Sequence, residues 1–168
     1  MKRAANFTMY FVIMAVIILK MPNIIDNIKA EGKSISPQKV YYFENEKSQM
    51  PIMFPAYGKK SVAVFWASWC GPCGIELSRI NKAIEEKEIS ADRIFAISLD
   101  QDLQALERTI QEKKYKFKTY LDRENTISNL LKVNSTPTIV FIDETGKVNW
   151  QTSGVSPFLI NRLKNFLN

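Results

Sequence analysis

The sequence predicts an α/β fold, with a mixed central sheet flanked by helices. Short apolar runs rich in β-branched residues alternate with segments whose apolar residues recur at helical spacing. Near the C-terminus two strand-like runs follow each other directly across Asp143-Glu144-Thr145-Gly146, so the sheet cannot be wholly parallel. The only two cysteines, Cys70 and Cys73, sit where a strand turns into a helix.

The elements follow in order. Met1-Lys2-Arg3 gives a charged start and residues 7–19 are uncharged and mostly apolar, the shape of a leader or a membrane anchor. That stretch is short against the ~20 residues of a full span, although Lys20 can snorkel. No small-x-small cleavage site follows promptly; Ile28-Lys29-Ala30 is late and begins with Ile. An uncleaved anchor over 1–21 is favoured over a cleaved signal, which would give a secreted form. Either puts the remainder outside the cytoplasm, because the early Lys2 and Arg3 stay inside. Residues 22–37 read as a polar linker and 38–168 as the folded domain.

Residues 40–43 and 51–54 are apolar pieces around Glu44-Asn45-Glu46-Lys47 and suggest an edge hairpin, with Pro51 and Pro55 marking an edge. Residues 57–60 turn into a buried strand over 61–65. Leu77, Ile80 and Ile84 then mark one face of a helix. Residues 93–99 read as a strand and 100–114 as a helix with Leu103, Leu106 and Ile110 on one face. Residues 117–121 are a short strand, 125–131 a short helix and 138–142 a strong strand, with its partner over 147–151. Ser156 as N-cap and Pro157 at the first helical position open a last helix with Leu159, Leu163, Phe166 and Leu167 inward.

Composition is globular, 46% hydrophobic and 24% charged. The net charge of +6 is not gathered into one face: five basic against two acidic residues lie in 1–34 and eighteen against fifteen beyond. Lys113, Lys114, Lys116 and Lys118 form the only dense basic run and read as a solvated helix end, so nucleic acid is not an expected partner.

Two residues between cysteines let both sulfurs meet across one helical turn, so a disulfide can open and close locally. Cys70 comes first, at the helix N-terminus, where unpaired N–H groups favour the thiolate. It is expected to be the exposed thiol. Pro72 suits the first turn. With Cys73 at zero on a helical wheel, Leu77, Ile80 and Ile84 lie within roughly 40°. Cys73 is therefore the buried, resolving thiol. A purely structural bridge would close a small loop and constrain the unfolded chain little. Structural zinc takes four Cys or His ligands, and this chain has two cysteines and no histidine. A redox dithiol is the stronger reading, and no cofactor is expected.

From about Pro51 onward the chain resembles the thioredoxin superfamily, and within it the membrane-tethered TlpA/ResA/DsbE-like proteins. The resemblance rests on Val64-Phe65-Trp66-Ala67-Ser68-Trp69-Cys70-Gly71-Pro72-Cys73, on Thr136-Pro137-Thr138 with the following Ile139-Val140-Phe141-Ile142-Asp143, and on Gly146. Residues 91–120 add a strand and a helix, as in the TlpA-like branch. The resemblance implies a thioredoxin-like fold with an N-terminal hydrophobic helix. It implies a cis Pro137 facing the disulfide, leaving the Thr136 backbone free for a substrate strand, with Trp69, Thr136 and Pro137 as substrate-binding residues.

Two departures matter. Thioredoxins carry a buried Asp on the strand before the cysteines, where this chain has Val64. Glu76 instead lies three residues after Cys73, where the ResA-like reductases have a functional glutamate. It could take the Cys73 proton, or it could be a first-turn Glu answering the helix dipole.

The resemblance implies an extracytoplasmic thiol–disulfide oxidoreductase that reduces disulfides of partner proteins, such as apocytochrome c haem-attachment cysteines, with a membrane electron donor. The oxidising extracytoplasmic space argues for the opposite direction. A thiol peroxidase would need a Thr-x-x-Cys site, which Ala67-Ser68-Trp69-Cys70 does not supply. A copper metallochaperone would need a histidine ligand. A non-catalytic adaptor would be indifferent to loss of Cys70.

Overall fold

The computed structural model of the protein describes residues 9, 10, 12, 14, 15, 21, 25 and 27–168. The strands are β1 (Gln38–Phe43), β2 (Gln49–Phe54), β3 (Ser61–Trp66), β4 (Ile94–Ser98), β5 (Lys118–Leu121), β6 (Thr138–Ile142) and β7 (Val148–Ser153). The helices considered below are α1 (Gly71–Glu85), α2 (Leu103–Lys113), α3 (Thr126–Leu130) and α4 (Leu159–Leu167). The strands form one sheet in the order β2-β1-β5-β4-β3-β6-β7. β3, β4 and β5 run parallel, while β1, β2, β6 and β7 join antiparallel neighbours. The mixed α/β sheet expected from the sequence is present, as is the edge hairpin of β1 and β2.

β3 lies between β4 and β6, and all six of its residues are buried. A strand covered on both faces reads as a continuous apolar run rather than an alternating one. Its side chains still alternate. Val62, Val64 and Trp66 join a core with Cys73, Leu77, Ile80, Leu106 and Leu163. Ala63 and Phe65 join a second core with Ile97, Ile127, Leu131 and Val140. Helices α1, α2 and α4 thus cover one face and α3 the other. Full burial of a side chain such as Leu77 contributes about 1.5–3 kcal/mol.

Local chemistry sets the element ends. α2 starts at Leu103 rather than at residue 100 because Asp102 caps it, accepting the N–H groups of Gln104 at 3.1 Å and Ala105 at 3.0 Å. Lys113 and Lys114 end that helix exposed to solvent, as the basic run suggested. Asp143 closes the β6–β7 turn, accepting from the Thr145 hydroxyl at 2.7 Å and from the N–H groups of Thr145 and Lys147, both at 2.9 Å. These bonds, the Thr145 hydroxyl first, hold its carboxyl below the usual aspartate value. Gly146 follows at φ +82°, a left-handed conformation that a side chain would strain.

Two expectations are corrected here. The last helix begins at Leu159 with Phe158 as its N-cap, so Ser156 is not the cap and Pro157 is not in the helix. The Ser156 backbone is instead occupied by groups on α1. The stretch expected as a linker is also built into the domain from residue 30 onward. Ala30 and Ile35 are buried, Gly32 N–H donates to Val148 O and Val148 N–H to Lys33 O, both at 2.8 Å. The expected N-terminal hydrophobic helix and membrane segment lie largely outside the described residues. Among the described residues, no helix is long and apolar enough to cross a membrane.

Candidate active site

β3 delivers the chain to the α1 N-terminus through a short turn, in which Cys70 N–H donates to Ala67 O at 3.1 Å. Cys70 is the N-cap of α1, with φ −87° and ψ 98°. Its sulfur accepts the Cys73 N–H at 3.2 Å, and its carbonyl accepts from Cys73 at 3.0 Å and Gly74 at 3.3 Å. The sulfur thus occupies the place where a helix end presents unpaired donors to an anion. Pro72 falls in the first turn, where its missing N–H leaves nothing unpaired. A disulfide joins Cys70 to Cys73, their Cα atoms 5.3 Å apart.

Cys73 is 0% exposed and Cys70 7%. Both cysteines are buried, so the expectation of an exposed Cys70 is corrected. Its sulfur is turned inward over the helix end, bonded to Cys73 and to the Cys73 N–H. Trp69 is the exposed neighbour, at 76%.

The Thr136–Pro137 peptide bond is cis, as the resemblance implied; Phe54–Pro55 is also cis and carried no signal in the sequence reading. Pro137 is buried and its carbonyl accepts the Gly154 N–H at 2.7 Å, which ties the loop before β6 to the loop after β7. Thr136 is half-buried.

Val64 is fully buried in β3, so no acid lies on that strand beside the cysteines. Glu76 is fully buried on α1. It is the sixth residue of the helix, beyond the first turn, which overturns the reading of a first-turn Glu answering the dipole. Its Oε1 accepts a short hydrogen bond from the Ser156 N–H, and its Oε2 accepts from Arg79 Nη1 at 2.9 Å. The same guanidinium donates to Ser156 O and Pro157 O, both at 2.8 Å. Glu76 and Arg79 therefore clamp the β7–α4 loop onto α1. That loop exposes Val155 and Phe158.

On the other side of the turn, Asp100 grips Ser68. Its carboxylate accepts the Ser68 N–H at 2.9 and 3.1 Å, the Ser68 hydroxyl at 2.6 Å and the Ser98 hydroxyl at 2.7 Å. Leu99 N–H adds a bond to Trp66 O at 2.9 Å. A hollow of about 460 Å³ beside this contact is lined by Ser68, Trp69 and Asp100.

Cys70, Cys73, Trp69 and Glu76 thus lie along the β3–α1 unit, where Glu76 pairs with Arg79 and Ser156, while Thr136 and Pro137 lie in the loop before β6. Reading from sequence missed Ser68, Asp100, Arg79 and Ser156. Asp100 closing an apolar strand was a faint signal. Nothing local pointed to Arg79 and Ser156, which are 77 residues apart. Among the described residues, no group of three or more His, Cys, Asp or Glu could hold a metal ion.

The family described as Redoxin matches residues 45–164. Thiol-disulfide oxidoreductase ResA of Oceanobacillus iheyensis is 29% identical over 111 residues, covering 66% of this chain and 57% of that protein. The chain thus matches little more than half the length of that relative. Sporulation thiol-disulfide oxidoreductase A of Bacillus subtilis is 23% identical over 141 residues, covering 82% of this chain and 84% of that one. The crystal structure of StoA from Bacillus subtilis superimposes with a TM-score of 0.62 at 23% identity, covering 77% of this chain and 96% of that one. At that identity the likeness establishes the fold.

Proposed function

The chain belongs to the Redoxin family and has a thioredoxin-like fold, and from that premise we propose that it is a thiol–disulfide oxidoreductase acting on disulfides of partner proteins. The observation that carries the reading is the Cys70–Cys73 disulfide at the α1 N-terminus, with Cys70 as N-cap and Cys73 fully buried. In the reduced protein the Cys70 thiolate attacks one sulfur of a partner disulfide. The partner S–S bond breaks, one partner thiolate leaves and a mixed disulfide forms. Cys73 then loses its proton and attacks the Cys70 sulfur, releasing the second partner thiolate. Two electrons pass to the partner and the Cys70–Cys73 bond closes. Trp69, Thr136 and Pro137 form the surface that receives the partner strand. Glu76 is our candidate to take the Cys73 proton.

The working environment belongs to the same proposal. Residues 1–21 act as an uncleaved anchor, the redox domain faces the outside of the membrane, and a membrane protein supplies the electrons. Apocytochrome c cysteines are the proposed substrates. The charged start and the apolar run support the anchor and the outward-facing domain. The test is insulin disulfide reduction with wild type and Cys70→Ser, coupled to trapping with Cys73→Ser. Activity lost in Cys70→Ser and mixed disulfides accumulating in Cys73→Ser are expected. Wild type that leaves insulin disulfides intact would overturn the reading.

A further inference from the structure

We propose that Asp100 is a positioning residue for Cys70, acting through Ser68. This rests on Cys70 being the reacting thiol. The Cys70 sulfur is useful only where α1 points its N–H groups, and the turn from Trp66 to Cys70 must place it there. From within, the turn has one bond, Cys70 N–H to Ala67 O at 3.1 Å. From outside it is held by the end of β4. Leu99 N–H reaches Trp66 O at 2.9 Å, and the Asp100 carboxylate takes both donors of Ser68. Asp100 is itself braced, because the Ser98 hydroxyl donates to its carboxylate at 2.7 Å while accepting the Asp100 N–H at 3.0 Å. A carboxylate with fixed partners on both sides transmits the position of β4 to the turn. Ser68 is two residues before Cys70, so freeing it frees the N-cap.

The loss is read from thiolate content. A sulfur that leaves the N-cap loses the donors that stabilise its anion, and alkylation at neutral pH slows with the thiolate fraction. The charged groups at this junction are Asp100 just past the end of β4, Asp102 lining the same hollow as Ser68 and Trp69, and the Glu76–Arg79 pair one turn into α1. Removing the Asp100 charge alone would act in the opposite direction, favouring the thiolate. Ser68→Ala removes the hydroxyl bond, keeps the backbone N–H on the carboxylate and leaves that charge in place, so it loosens the grip on the turn with an unambiguous sign.

The experiment measures iodoacetamide alkylation of Cys70 against pH in the reduced full chain, for wild type, Ser68→Ala, Ser68→Thr, Asp100→Ala and the Ser68→Ala/Asp100→Ala double variant. Cys73→Ser is present throughout, so only one thiol reacts. Slowing on the order of tenfold at neutral pH is expected for Ser68→Ala, and less for Asp100→Ala, where loss of the nearby negative charge offsets part of the loss of position. Rates should converge at high pH, where every thiol is ionised. Ser68→Thr should restore the wild-type rate, and the double variant should be no slower than Asp100→Ala alone. A wild-type rate in Ser68→Ala overturns the proposal even if Asp100→Ala does not fold, and so does slowing that persists at high pH. Because alkylation needs no partner protein, failure of insulin reduction in wild type counts against the functional reading alone.

Discussion

Arg79→Ala offers the sharpest test of the clamp between α1 and the β7–α4 loop. It strips the cation from a carboxylate that is fully buried. Breaking such a pair from one side costs about 3–5 kcal/mol, because a charge stays buried without its partner. The Arg79 side chain is 32% exposed, so water can enter the vacated space. We discount the cost to about 2–3 kcal/mol. In a Glu76→Gln background no buried charge is left behind, and Arg79→Ala should then cost only the bonds to Ser156 O and Pro157 O, about 1 kcal/mol. The expected coupling is therefore about 1–2 kcal/mol. Urea denaturation of the four oxidised proteins measures it. With a slope of roughly 1–3 kcal/mol/M, Arg79→Ala alone should lower the midpoint by about 1–2 M. Coupling below about 0.5 kcal/mol would refute the reasoning, since the two residues would then act independently. The same Glu76→Gln variant separates clamp from base. A catalytic Glu76 predicts release of the Cys70 mixed disulfide slowed on the order of tenfold or more, with the initial attack little changed. A clamp alone predicts lost stability with normal release, and single-turnover kinetics of both steps distinguish the two.

Three further outcomes are expected. In the reduced protein Cys70 should alkylate faster than Cys73, since Cys73 is 0% exposed and Cys70 holds the N-cap; equal rates would contradict their assigned roles. A C-terminal reporter active only outside the cytoplasm should report activity, and a mature chain beginning near Glu31 would decide for a cleaved leader. Asp143, held below its ordinary value, contributes stability that is fully present above the unfolded aspartate value of about 3.9 and lost as pH falls through the folded one. Denaturation between pH 2 and 5 should show that part of the decline in wild type, and Asp143→Asn should flatten it.

The sequence by itself determined the elements and the dithiol. The unbroken apolar run at 61–65 and the stripe of Leu77, Ile80 and Ile84 are local patterns, and burial of one face enforces them whatever the neighbours are. The Cys70–Cys73 spacing and the strand-to-helix junction lie within one short window, as does the Thr136-Pro137-Thr138 signature. The tertiary structure alone decided how the groups around the dithiol are used. The sequence set Glu76 three residues after Cys73, but only the folded chain showed it beyond the first turn, fully buried and bound to Ser156 and Arg79. Ser156 carried every local mark of an N-cap, yet its N–H is claimed by a carboxylate 80 positions away, and the helix starts later. Ser68 and Asp100, 32 positions apart, meet because β3 and β4 are parallel neighbours whose ends finish on the same edge. The reason is common to all three. Propensity and periodicity act over a few residues, whereas a buried polar group must find its hydrogen-bond partner wherever sheet order places one.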